Sequence, residues 1–201
     1  MKLLVRLALV IIASHFVFAG DRCDVQPQPG IDVVAMFHPP VLPLVLHDVL
    51  PGESWALGSW RVRNAIPIYN SWEPGGRVVA KLRTGSTVTA LEGLNVIHKP
   101  DAIVMTETIP AIGLEIGDKL LRYRNYGEGE ADYWARSCWF KDLGLAVREA
   151  SGGGCRRSCT ARVTEPGSKT WWFKLRLHNG MVGWSNDYRN LSLAENTPSA
   201  R

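Results

Sequence analysis

No stretch of this chain sustains an amphipathic helical period over three turns, whereas short β-branched and aromatic runs bounded by turn residues recur along most of its length. With 19 Gly and 12 Pro among 201 residues, each periodic segment is cut off before a helix of ordinary length could form. The pattern therefore predicts an all-β fold.

The first nineteen residues read as an export signal. Lys2 and Arg6 precede an apolar run from Leu7 to Phe18, and Val17-Phe18-Ala19 offers a small residue for cleavage after Ala19. That run is too short for a strong membrane span, and no stretch of about 18 apolar residues follows it, so no integral membrane span is expected. Cys23 lies near the cut, but Gly20-Asp21-Arg22 is not the small apolar set of a lipidation signal. Loss of Lys2 and Arg6 leaves 21 cationic against 19 acidic residues, a balance of +2. The cations form no cluster in sequence, which argues against nucleic acid as a partner.

Cys23, Cys138, Cys155 and Cys159 all remain after cleavage. In an exported chain, an even set reads as two disulfides, with three pairings open. Cys155-x3-Cys159 has tolerable zinc spacing, but no second close Cys or His pair completes a ligand set.

Along the chain, residues 20–54 form a Pro-rich arm. Val41, Leu42, Leu44, Val45 and Leu46 make it too apolar for a solvated linker, so it is expected to dock, with Cys23 pinning its start. Residues 55–149 carry the next strands. Pro74-Gly75-Gly76 turns Arg61–Tyr69 into Arg77–Leu82, and Lys99-Pro100-Asp101-Ala102 reads as a hairpin turn between 94–98 and 103–108. A third hairpin spans 119–140. With Gly127-Glu128-Gly129 as its loop, Arg122 would face Trp134, Tyr123 would face Tyr133 and Arg124 would face Asp132. Ala150–Gly154 (ASGGG) marks a boundary before a unit at 150–193. There, Trp171–His178 and Met181–Ser185 flank the two-residue hairpin signal Asn179-Gly180. Residues 194–201 read as a frayed polar tail.

Strand alternation places Trp171, Phe173, Leu175 and Leu177 on one face of the 171–178 segment, and Trp172, Lys174, Arg176 and His178 on the other. The first face is the expected core. The second puts an aromatic ring beside cationic groups, which suits a sugar–peptide polymer bearing free carboxylates. The alternative for Trp172 is packing beneath the N-terminal arm. Gly180 is assigned to the turn, Gly183 to close strand approach and Trp184 to the core.

Trp172-Phe173-Lys174-Leu175, followed by Asn179-Gly180, Gly183-Trp184 and Tyr188, resembles the closing strands of bacterial SH3-like domains. Tyr69, Pro74, Arg77-Val78-Val79, Leu82, Gly85 and Val88 are similar to the opening half of the same family. The resemblance implies small β-barrels. The two halves are far apart, so either two degenerate barrels exist, split near residue 150, or one barrel carries a long insertion. Two barrels are expected, because each set of strands buries its apolar face most readily through short connections.

The chain offers little for catalysis. Relatives of this fold often accompany thiol-dependent cell-wall peptidases, but the cysteines are expected to be oxidised, and His38, His47, His98 and His178 have no nucleophile context. Gly-x-Ser-x-Gly, His-Glu-x-x-His, phosphate-loop and dinucleotide motifs are absent from the sequence, so no cofactor is expected. Glu128, Glu130 and Asp132 read as a solvated turn plus a cross-strand pair rather than as a glycosidase dyad. The expectation is a non-enzymatic periplasmic or secreted module that binds peptidoglycan or cell-wall peptides through Trp172, Lys174 and Arg176. A partner protein of the envelope, as for an inhibitor or immunity-type protein, is the second reading, and an accessory or degenerate hydrolase the third.

Overall fold

A computed structural model of the chain describes residues 23, 25, 29–51, 56–127 and 129–193. The expected signal at 1–19, the tail at 194–201 and Glu128 lie outside the described residues. Within them the protein is all-β. The strands are β1 (Asp32–Ala35), β2 (Leu44–His47), β3 (Gly58–Val62), β4 (Ile66–Tyr69), β5 (Val78–Leu82), β6 (Thr87–Lys99) and β7 (Asp101–Met105). There follow β8 (Lys119–Gly127), β9 (Glu130–Ala135), β10 (Cys138–Gly144), β11 (Val147–Arg148), β12 (Ala161–Glu165), β13 (Ser168–Arg176), β14 (Val182–Ser185) and β15 (Leu191–Leu193). Among the described residues no helix is long and apolar enough to cross a membrane.

The strands form two sheets. The first has the order β15-β3-β6-β13-β14-β4-β5, with β2 also pairing with β6, and the second has the order β1-β10-β9-β8-β7-β12-β11. Each sheet owns a core. Trp60, Ile66, Ile68, Phe173 and Leu175 are fully buried in the first, and Ile103, Met105, Leu120, Tyr133 and Phe140 in the second. Trp60 anchors the first core, meeting Phe173 edge-on at 4.8 Å and donating its indole N–H to the Ala56 carbonyl at 2.8 Å.

A two-stranded ribbon passes from one sheet to the other. β6 runs into β7 and β12 runs into β13, while β6 pairs with β13 and β7 with β12. The expected hairpin at Lys99–Ala102 is therefore not formed. Pro100 is buried at the corner, where its missing N–H leaves no ladder bond to satisfy. Opposite it sits Gly167, whose N–H donates to Asp101 Oδ1 at 2.6 Å, and a Cβ at this position would overlap the backbone of Lys99, Pro100 and Asp101.

The boundary expected near residue 150 does not separate sheets. β13, β14 and β15 pair with β6, β4 and β3, so the C-terminal strands complete the sheet begun by residues 58–99. The intervening strands β7–β12 make the second sheet. The arm joins both sheets, β1 along β10 and β2 along β6.

Turn details differ from expectation in two places. In the 119–140 hairpin, Leu121 faces Trp134 and Arg122 faces Tyr133, one residue away from the expected register, because bulges between Arg122 and Gly127 absorb the difference. Asp132 lies in the bulged stretch of this hairpin. It accepts from the Tyr126 hydroxyl at 3.0 Å, and Arg124 lies 4.2 Å over the Tyr126 ring. The β13–β14 hairpin forms as expected, but with three loop residues. Gly180 N–H donates to the Leu177 carbonyl at 2.9 Å, and Gly180 takes the left-handed conformation that closes such a loop.

Of the three pairings open in the sequence, the structure has Cys23–Cys138 and Cys155–Cys159. The first ties the arm to β10 across 115 positions, and the second closes a loop across 4. Two disulfides suit a non-reducing environment.

Candidate ligand-binding groove

The outward face of the first sheet is set by strand alternation. Phe173 and Leu175 of β13 are buried in the core, so Thr170, Trp172 and Lys174 emerge on the other side, apart from a bulge at Lys174/Leu175. Cross-strand register then selects their neighbours. Trp172 lies opposite Leu94, Thr170 opposite Val96 and Lys174 opposite both Glu92 and Trp184. Trp184 in turn faces Tyr69 of β4.

Tyr69, Val96, Thr170 and Trp172 border a groove of about 380 Å³, whose lining also includes Trp72 and His98. Tyr69 packs edge-on against Trp172 with ring centroids 5.6 Å apart, a geometry favoured by the aromatic quadrupole. His98 shares a hydrogen bond with Thr170 Oγ1 at 3.1 Å. Pro43 of the arm forms part of the rim, so the arm borders Trp172 and leaves it half-buried.

The loop that brings in Trp72 is held by its own polar groups. Asn70 exchanges with Arg77 through a backbone bond at 3.0 Å and a side-chain bond at 2.8 Å, and the Glu73 N–H donates to Ser71 Oγ at 3.1 Å. Gly76 N–H donates to the Glu73 carbonyl at 3.1 Å, and a Cβ on Gly76 would overlap the Ser71 carbonyl oxygen.

Of the three expected binding residues, Trp172 lines the groove. Lys174 stands beside it but is engaged, 3.5 Å from Glu92 Oε2 and 5.6 Å from the centre of the Trp184 ring. Glu92 is shared, since its other oxygen is 3.3 Å from His47 Nδ1. Arg176 is exposed toward the hairpin turn and is not among the groove-lining residues. Trp184 corrects its assignment to the core: it is half-buried on the outward face, because Gly183 points inward against Ile68. The expected role of Gly183 holds, since a Cβ there would overlap the Ile68 side chain.

Tyr69, Trp72, His98 and Pro43 were not legible as site residues. Their segments are remote in sequence and meet only through strand pairing. The one available signal was Trp72 in the turn sequence before Pro74-Gly75-Gly76, an aromatic where turns are usually polar.

A larger cavity of about 580 Å³ lies in the second sheet, with Arg122, Asn125, Glu149 and Cys155 in its lining. Arg122 is buried and makes a two-pronged bond to Glu149 at 2.7 and 2.9 Å, with Nε donating to Asp101 at 3.0 Å. Burial opposes its charge, but the Glu149 hydrogen bonds and the charges of Asp101 and Glu149 outweigh that and raise its pKa. Beside it, burial pushes the Tyr133 phenol up to about 12. The arrangement is a cross-brace of β7, β8 and the segment after β11.

All four cysteines are disulfide-bonded, so Cys155 and Cys159 are unavailable as zinc ligands or nucleophiles in this state. Among the described residues no group of three or more His, Cys, Asp or Glu side chains is placed to hold a metal ion. Asp132 is occupied by Tyr126 and by the Asp142 N–H at 3.1 Å, and Glu130 is exposed. No family model matches the chain, and no curated protein or solved structure gives a significant match.

Proposed function

We propose that the protein is a non-enzymatic binding module of the bacterial cell envelope, periplasmic or secreted, that seats a cell-wall sugar–peptide polymer in the groove around Trp172. The observation that carries this reading is the meeting of Tyr69, Trp72 and Trp172 with His98 and Thr170 in one open depression. Aromatic faces stack on sugar rings and apolar peptide groups, and the polar atoms beside them orient the ligand. Lys174 supplies charge at the edge, already oriented by Glu92.

The likeness to bacterial SH3-like domains supports the same reading in a specific form: one such unit with residues 100–167 inserted between its halves. Both motif-bearing segments, Tyr69 to Val88 and Trp172 to Tyr188, lie in the first sheet.

The test is sedimentation of the mature protein with purified sacculi, beside sacculi whose free carboxylates have been amidated. Co-sedimentation that weakens on amidation is expected. Failure of the protein to sediment with either preparation would overturn the proposal.

A further inference from the structure

The outward face of the second sheet presents cations with no acidic partner among the described residues. Arg148 of β11 lies beside Arg162 of β12, Arg162 lies opposite Val104 of β7, and Val104 lies opposite Lys119 of β8. Register therefore places Arg148, Arg162, Val104 and Lys119 in one row across four strands. Their neighbours Val147, Ala161 and Leu120 are buried in the core, so the three cations point to solvent, and all three are exposed. Among the described residues the ion pairs of this sheet use Arg122, Arg136, Lys141 and, through Glu165 of β12, Lys99, and none involves Arg148, Arg162 or Lys119. Like charges side by side on one sheet face cost stability, and no ion pair among the described residues offsets the Arg148–Arg162 pair. Two further exposed arginines, Arg156 and Arg157, stand on the neighbouring loop pinned by Cys155–Cys159.

The next row on the same face is apolar and aromatic. Leu121, two residues from Lys119, lies opposite Trp134, Trp134 opposite Trp139, and Trp139 opposite Val34. Both indoles are half-buried, Val34 is 45% exposed and Phe37 just beyond it is 69% exposed. Trp134 donates its N–H to the Met36 carbonyl at 2.9 Å, which fixes the ring and the exit of β1 together.

A row of unpaired cations beside a row of tryptophans on a sheet face has the chemistry of a surface that rests on a membrane. Cations are drawn to anionic headgroups, and indole rings settle at the headgroup level. We propose that this face docks on an anionic phospholipid surface through Arg148, Arg162 and Lys119, with Trp134 and Trp139 at the interface. It lies on the other sheet from the Trp172 groove, so neither reading depends on the other. A compartment bounded by a membrane would hold the module at that surface while leaving the groove for its own ligand.

The probe is vesicle flotation of the mature protein with phosphatidylcholine vesicles that do or do not contain phosphatidylglycerol. Binding to the phosphatidylglycerol vesicles alone is expected, declining with salt as screening shortens the reach of the charges. Each lost cation should weaken binding about fivefold, the equivalent of about 1 kcal/mol, so the R148Q/R162Q pair should lose about 30-fold. Both side chains are exposed and of like charge, so the variant should melt no lower than the parent, and R176Q on the first sheet should bind vesicles unchanged. Equal binding to both vesicle types, no binding to either, or full binding by R148Q/R162Q would overturn the proposal. Retention of a DNA oligonucleotide or soluble polyphosphate without vesicle binding would also overturn it, marking the row as a site for soluble polyanions.

Discussion

Lys174 and Trp184 face each other across the β13–β14 pair, with the ammonium 5.6 Å from the indole ring and Glu92 3.5 Å away on the other side. This one relationship takes Trp184 out of the core and ties it to the outward side of the sheet. Trp184→Ala should therefore cost only about 1 kcal/mol, the value of an exposed cation–π contact and partial burial. Trp60→Ala, which empties the centre of the first core, should cost about 3–5 kcal/mol. Thermal melts of the two variants measure the difference, and equal losses would return Trp184 to the core.

The two disulfides should respond differently to reductant. Cys138 is fully buried, and its bond closes a separation of 115 residues, whereas Cys155 and Cys159 are partly exposed and separated by 4. Loop-closure entropy assigns about 5 kcal/mol to the first and about 2 kcal/mol to the second. Mild dithiol treatment of the folded protein, followed by alkylation and peptide mapping, should label Cys155 and Cys159 first. Simultaneous labelling of all four would contradict the assignment.

Gly167→Ala should destabilise the protein by about 1–3 kcal/mol, because the added methyl meets the backbone of Lys99 to Asp101 at the corner between the sheets. Chemical denaturation measures the loss. A neutral outcome would mean that the corner can open without cost.

Asp132 gives the fold a pH dependence of known sign. Burial raises its pKa, against the lowering effect of the hydrogen bonds from the Asp142 N–H and Tyr126. The folded state thus holds its proton more tightly than the unfolded chain, so the stability linked to Asp132 is greatest in acid and falls as pH rises above the ordinary aspartate value of about 4. Asp132→Asn keeps an acceptor oxygen and removes the titration. Its stability relative to the parent should improve as pH rises from acid toward neutrality, read from melts across that range, and an unchanged difference would contradict the account.

The strand pattern of the 171–178 segment was legible because alternation is local: Phe173, Leu175 and Leu177 are buried as their spacing implies. Pairing between distant strands was not. Lys99-Pro100-Asp101-Ala102 has the composition of a hairpin turn, but β6 finds β13, some seventy residues later, as its partner, and Pro100 marks a passage between sheets. The register of the 119–140 hairpin rested on compatible pairs, and a bulge that leaves no sequence mark displaced it. Trp184 was misplaced because a Gly-Trp pair does not reveal which member faces the core until Gly183 is seen against Ile68. The cation row on the second sheet was hidden for the same reason, since Lys119, Arg148 and Arg162 are scattered in sequence and only register aligns them.

Whether the depression around Trp172 is a ligand seat or a piece of the core is decided by measuring sacculus retention and melting temperature together for Trp172→Ala. A ligand seat requires binding weaker by about 1–3 kcal/mol, in the range of a lost aromatic anchor, with a melting temperature well above that of Trp60→Ala. Retention equal to the parent's, or a melting temperature as low as that of Trp60→Ala, would contradict it.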